Sequence, residues 1–158
     1  VLDQTWTATK YYNSEEDGLV DVIPGSTITL NMEINESLIG SGGCNRYFGS
    51  YDDLTSTSFA IVGDIGSTKM LCDEPDNVME QEEMYLKNFV DGREIMWAIL
   101  DDGSLELRDS GADVVIALYN AEAEVVRSTN LLPTSGGMDI GTPITVFAMI
   151  AIIAMAAW

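Results

Sequence analysis

The chain has 158 residues, 26 acidic against seven basic side chains, no histidine and a net charge of −19. That length holds one domain plus a short appendage, and so few cations exclude nucleic acid as a partner, because phosphate binding needs Lys and Arg clusters. The same acidity turns the body away from an anionic lipid surface; it suits plain solubility first, and a saline compartment or a basic partner after that.

The first residue is Val1, which fits removal of an upstream export or transit segment. Thr5–Tyr12 reads as a strand with Trp6, Ala8 and Tyr12 on one face, followed by a polar turn over Asn13–Gly18 and a second turn at Pro24-Gly25-Ser26. Ile28, Leu30, Met32 and Ile34 alternate with polar residues, a period of two that marks a half-buried strand. Leu38 and Ile39 begin another strand, which Gly40-Ser41-Gly42-Gly43 is expected to interrupt. Tyr47–Tyr51 and Ser58–Ile65 read as two more.

One helix is expected from Asn77 to Gly92. Asn77 supplies a cap, Glu80 completes a capping box, and Val78, Met79, Tyr85, Leu86, Phe89 and Val90 form the apolar stripe. Glu80–Glu83 then read as a solvated acidic face suited to the helix dipole. Three strands follow at hairpin spacing, Ile95–Leu100, Ser104–Arg108 and Asp113–Asn120, separated by Asp-Gly and Ser-Gly turns. The expected class is α+β: several antiparallel strands with one inserted helix over residues 1–120.

Residues 121–141 hold Pro133, Ser135, Gly136 and Gly137 and read as a linker. Residues 142–158 carry no charge at all. Thr142 can cap a helix and Pro143 suits its first turn. Ile144, Phe147, Ile150 and Ile153 then recur between small residues, and Trp158 is suited to a membrane interface. Seventeen residues make about 25 Å of helix, close to a ~30 Å hydrocarbon core. The expectation is a single transmembrane helix, touching lipid and other membrane-protein subunits.

Chemistry-bearing patterns are sparse. Gly40–Gly43 lacks the Lys-Ser/Thr ending of a phosphate loop, so close packing or a positive φ is the better reading. Asn45 is expected to fold back onto its own loop, and Arg46 to form an internal ion pair. No histidine is present to serve a hydrolase serine, and no acidic cluster has calcium-loop spacing. No catalytic residue, metal or cofactor is assigned.

The run Gly40-Ser41-Gly42-Gly43-Cys44-Asn45-Arg46-Tyr47-Phe48-Gly49-Ser50-Tyr51 resembles the glycine–cysteine–asparagine signature of META domains, the HslJ-like family. Trp6, Thr68-Lys69-Met70-Leu71-Cys72, Gln81-Glu82 and Leu105-x-Leu107 follow in matching order, and the resemblance spans residues 3–120. It makes Gly40, Gly42, Gly43, Asn45, Arg46 and Tyr47 the signature loop. It implies a small α+β domain, a curved antiparallel sheet with one inserted helix, often exported or envelope-associated, with no agreed enzyme activity and loosely linked to stress tolerance, drug resistance and motility.

Cys44 and Cys72 are the only cysteines. Their separation is unlike a CxxC redox motif, and zinc would lack histidine ligands. A disulfide in an oxidising compartment is expected, with two free buried thiols as the alternative. The resulting expectation is a non-catalytic, membrane-anchored domain on the extracytoplasmic or lumenal side, an accessory subunit of a larger complex. Leu132-Pro133-Thr134-Ser135-Gly136 resembles a sortase signal and supports a rival, a sortase-processed surface protein or envelope stress protein. A carboxylate-dependent envelope enzyme is the remaining alternative.

Overall fold

A computed structural model describes residues 1–121. In chain order the elements are β1 (Thr5–Asn13), β2 (Gly18–Asp21), β3 (Ile28–Met32), β4 (Ser37–Gly42), β5 (Arg46–Asp52), β6 (Ser58–Ser67), α1 (Val78–Leu86), β7 (Glu94–Ile99), β8 (Leu105–Asp109) and β9 (Val114–Ala121). Every pairing is antiparallel, in the order β2-β1-β3-β4-β5-β6-β7-β8-β9. β9 also pairs with β1. The curved sheet therefore closes into an eight-stranded barrel, with β2 hung on the second half of β1. Closure removes the exposed edges that an open sheet would present.

β1 carries both the flap and the seam, and its register explains one departure from the sequence pattern. Trp6 and Ala8 face the core, but the ladder to β9 slips between Ala8 and Lys10, leaving Thr9 as a bulge. One extra residue reverses the parity of everything after it. Tyr11, rather than Tyr12, is therefore the buried tyrosine.

Ile28, Leu30 and Met32 are fully buried, as their alternation requires. The strand stops there, because Glu33 and Glu36 form a turn and leave Ile34 73% exposed. β4 does not break at its glycines. It runs through Gly40 to Gly42, paired with β3 on one side and, through Ser41, with β5 on the other. A side chain at Gly40 would collide with the Thr29 carbonyl and lie 2.7 Å from the Tyr47 ring. The missing Cβ makes room for a large neighbour rather than ending a strand.

The helix is shorter than its sequence pattern and starts differently. Asn77 adopts a left-handed backbone (φ 64°) and its side chain caps nothing. The first turn is held instead by Val78 N–H donating to the Pro75 carbonyl (3.2 Å) and Gln81 N–H donating to the Asn77 carbonyl (2.9 Å). The expected capping box is thus absent. The helix ends at Leu86, and tighter bonds from Asn88 to Tyr85 and Phe89 to Leu86 close the last turn before Gly92. Val78, Met84, Tyr85 and Phe89 are buried; Met79 and Val90, expected on the same stripe, are about half exposed.

α1 lies across one end of the barrel. Asn88 reaches the end of β1 at the Tyr12 carbonyl (3.0 Å), Gln81 reaches the segment before β3, and Glu82 reaches the β4–β5 turn. Tyr85 passes inside. The expected linker beyond Ala121 and the expected membrane helix, with Thr142, Pro143, Ile144, Phe147, Ile150, Ile153 and Trp158, lie outside the described residues. Among the described residues, no helix is long and apolar enough to cross a membrane.

Candidate functional site

Gln81 and Glu82 are adjacent polar residues on α1, yet they are 2% and 8% exposed. The glycine run accounts for this. A side chain at Gly42 would sit 2.5 Å from the Glu82 Cγ, and one at Gly43 would sit 2.7 Å from the Gln81 Nε2. Gly43 also has a φ of 116°, a conformation L-residues avoid. The β4–β5 turn is bare so that two long side chains from the helix can lie on it.

Each polar atom brought there finds a partner. Glu82 Oε2 accepts the Asn45 backbone N–H (2.5 Å) and the Cys44 N–H (3.3 Å), and Oε1 accepts the Asn45 side-chain amide (3.0 Å). Asn45 Oδ1 accepts the Thr68 hydroxyl (2.8 Å) and the Met70 N–H (2.7 Å), while Nδ2 also donates to the Met70 carbonyl (3.2 Å). Gln81 accepts from Ile23 N–H (2.7 Å) and donates to Ser26 Oγ (2.9 Å). A buried carboxylate is tolerated under such charge-assisted bonding.

Asn45 touches its own loop at Cys44 Sγ (3.3 Å), but its other side-chain bonds reach Thr68, Met70 and Glu82, each 23 or more residues away from it. Glu82 leaves the solvated face assigned to it because the Gly42 floor and three N–H donors outweigh its hydration. Helical spacing does place Glu82 with Val78, Tyr85 and Phe89 and turns Glu80 and Glu83 away; the signal that a carboxylate can be buried there lies in the glycines it rests on.

Cys44 and Cys72 are joined by a disulfide, with Cα atoms 5.9 Å apart. It ties the signature loop to the segment entering α1, beside the Asn45–Met70 bonds. Arg46 is exposed at the start of β5 and, among the described residues, forms no ion pair, so the expected internal pairing is not present.

Tyr47 points inward from β5. Its hydroxyl donates to the Thr29 carbonyl (2.7 Å), and it lies 3.0 Å from the Tyr85 hydroxyl, which lies 2.9 Å from that of Tyr119. A carbonyl cannot donate, so the single proton of Tyr47 is committed to Thr29. Tyr85 must then donate to Tyr47, and Tyr119 to Tyr85. Burial raises all three hydroxyls above the usual tyrosine pKa range. The stacked Tyr47–Phe89 pair and the edge-on Tyr85–Phe89 pair complete the packing.

The model of the META domain family matches residues 1–122. This chain belongs to the META domain family. An NMR structure of a protein from Burkholderia xenovorans is similar to this META domain at a TM-score of 0.58 and 21% sequence identity, over 77% of this chain and 83% of that one. At that identity the likeness speaks for the fold alone. No curated protein matches the chain. In this META domain the glycines, Asn45 and the Gln81-Glu82 pair form one clasp that fastens the helix to the barrel end.

Proposed function

We propose that this META domain is a non-catalytic extracytoplasmic or lumenal module, held in a membrane by residues 142–158 and serving as an accessory subunit of a larger membrane assembly. The observation that carries the reading is the clasp. Asn45, Gln81 and Glu82 spend their side-chain polar groups on one another and on the adjoining backbone. Such a site stiffens a scaffold and offers a substrate no unengaged acid, base or nucleophile. The Cys44–Cys72 disulfide supports an oxidising compartment. The uncharged stretch from Thr142 to Trp158 supports the anchor.

The test is made on the full chain in the cells that produce it. The expected result is retention in membranes through an alkaline carbonate wash, release of a version ending at residue 141, and cysteines that alkylate only after reduction. Mild detergent should extract the chain with a defined larger complex. Release of the full chain by carbonate, free thiols in the native protein or recovery as a lone monomer would overturn the reading. A mature C-terminus at Thr134, read by mass spectrometry, would replace it with the sortase-processed alternative.

A further inference from the structure

The outer face of β1, β3, β4 and β5 holds a groove of about 440 Å³ that the clasp does not use. Its floor follows the register. Thr5 pairs with Asn31, Asn31 with Ile39, Ile39 with Phe48, and Phe48 with Gly66, one cross-strand row over five strands. Thr29, Ser41 and Arg46 form the next row. The volume falls within the range of small-molecule sites.

Charge sets this groove apart. Among the described residues, no acidic side chain lines it. Three other concave sites carry carboxylates: Glu74 and Asp76 in one, Asp91, Glu94 and Asp109 in another, Glu106 in a third. Lys10, Lys87, Arg93 and Arg108 are each paired with an acid, whereas Arg46, on the groove, has no such partner among the described residues.

Phe48 is 57% exposed, and its ring lies over Gly66, where a side chain would sit 2.5 Å from it. An exposed aromatic face and a guanidinium with no acidic partner among the described residues thus lie on two adjacent rows of the sheet.

We propose that this groove binds a small amphiphilic anion: a flat apolar group against Phe48 and Ile39, and a carboxylate on Arg46. The site belongs to the barrel and does not depend on where residues 142–158 reside.

Indole-3-acetate carries both features and serves as the probe, titrated into the isotopically labelled full chain and followed by NMR. Saturable shifts at the amides of Asn31, Ile39 and Phe48 are expected. Indole-3-acetamide, which lacks the charge, and the variant Arg46→Gln should each bind at least about tenfold more weakly, the loss of one charge-assisted contact. Phe48→Ser should weaken binding as well, with the rest of the spectrum unchanged because the ring is on the surface. Lys87→Gln, a cation outside the groove, should leave affinity unaltered. No saturable shift at millimolar probe, shifts confined elsewhere, or equal losses in Arg46→Gln and Lys87→Gln would overturn the proposal.

Discussion

The Glu82 carboxylate holds Asn45 from both sides, accepting its backbone N–H at 2.5 Å and its side-chain amide at 3.0 Å. A helical residue thereby fixes the asparagine that in turn holds Met70. The two are 37 residues apart in sequence, so the contact joins the barrel to its helix directly. Glu82→Ala strands the Asn45 and Cys44 N–H groups in a buried site and should lower stability by about 3 kcal/mol. Glu82→Gln keeps the volume but loses charge and one acceptor, and should cost about 1–2 kcal/mol. Urea unfolding of both variants measures the difference; equal, near-zero losses would mean the clasp contributes nothing.

Glycine identity in β4 is predicted to matter through space, not flexibility. Gly40→Ala places a methyl against the Thr29 carbonyl and the Tyr47 ring. Neither can retreat, because one belongs to a paired strand and the other is hydrogen-bonded to it. A loss of about 3 kcal/mol is expected, from overpacking. Gly25 has open space around it, so Gly25→Ala should cost only the strain of its positive φ, about 1 kcal/mol. Thermal denaturation of the pair separates the two effects.

Reduction of the disulfide should weaken the domain without unfolding it. The 28-residue separation gives a loop-closure contribution of roughly 3.6 kcal/mol in the unfolded-chain model. Asn45 continues to hold Thr68 and Met70 after the bond is cut. Denaturation with and without a dithiol should show a lower midpoint, and hydrogen exchange should rise first at Met70–Asp73. Complete loss of the fold on reduction would contradict the role given to Asn45.

The tyrosine chain makes an alkaline prediction. Tyr47, Tyr85 and Tyr119 have hydroxyl pKa values raised by burial above the ordinary value near 10. The folded state therefore keeps protons that the unfolded chain releases. Stability from these groups is complete below about pH 10 and declines above it, by about 1.4 kcal/mol per pH unit for each tyrosine, until the folded value is reached. Of the six tyrosines, these three should ionise only as the barrel unfolds, read by tyrosinate absorbance. Early ionisation of all six in a folded protein would refute the buried chain.

The committed proton order gives a sharper test. Tyr119→Phe removes the terminal donor and leaves only an under-used Tyr85 oxygen, for a loss of about 1 kcal/mol. Tyr85→Phe removes the acceptor of Tyr119 and the donor to Tyr47, and should cost about 2–3 kcal/mol. A Tyr119→Phe loss as large as that of Tyr85→Phe, measured by chemical denaturation, would contradict this order.

Local chemistry alone determined a good deal of this protein. The alternation in Ile28–Met32, the Asp-Gly turn at Asp102-Gly103 and the helical stripe through Tyr85 each followed from periods and turn residues that act over a few positions. The glycine–cysteine–asparagine run was likewise legible, and with it the family. Tertiary structure decided what those residues are for. Barrel closure between β1 and β9, the bulge that buries Tyr11 in place of Tyr12, and the burial of Glu82 over Gly42 depend on groups far apart in the chain. A periodic pattern records which face is apolar; it holds no record of which distant backbone will offer a buried carboxylate its hydrogen bonds. Only the tertiary fold brings Glu82 onto the turn that holds Gly42 and Asn45, and that proximity turns an acidic surface helix into the bolt on the end of the barrel.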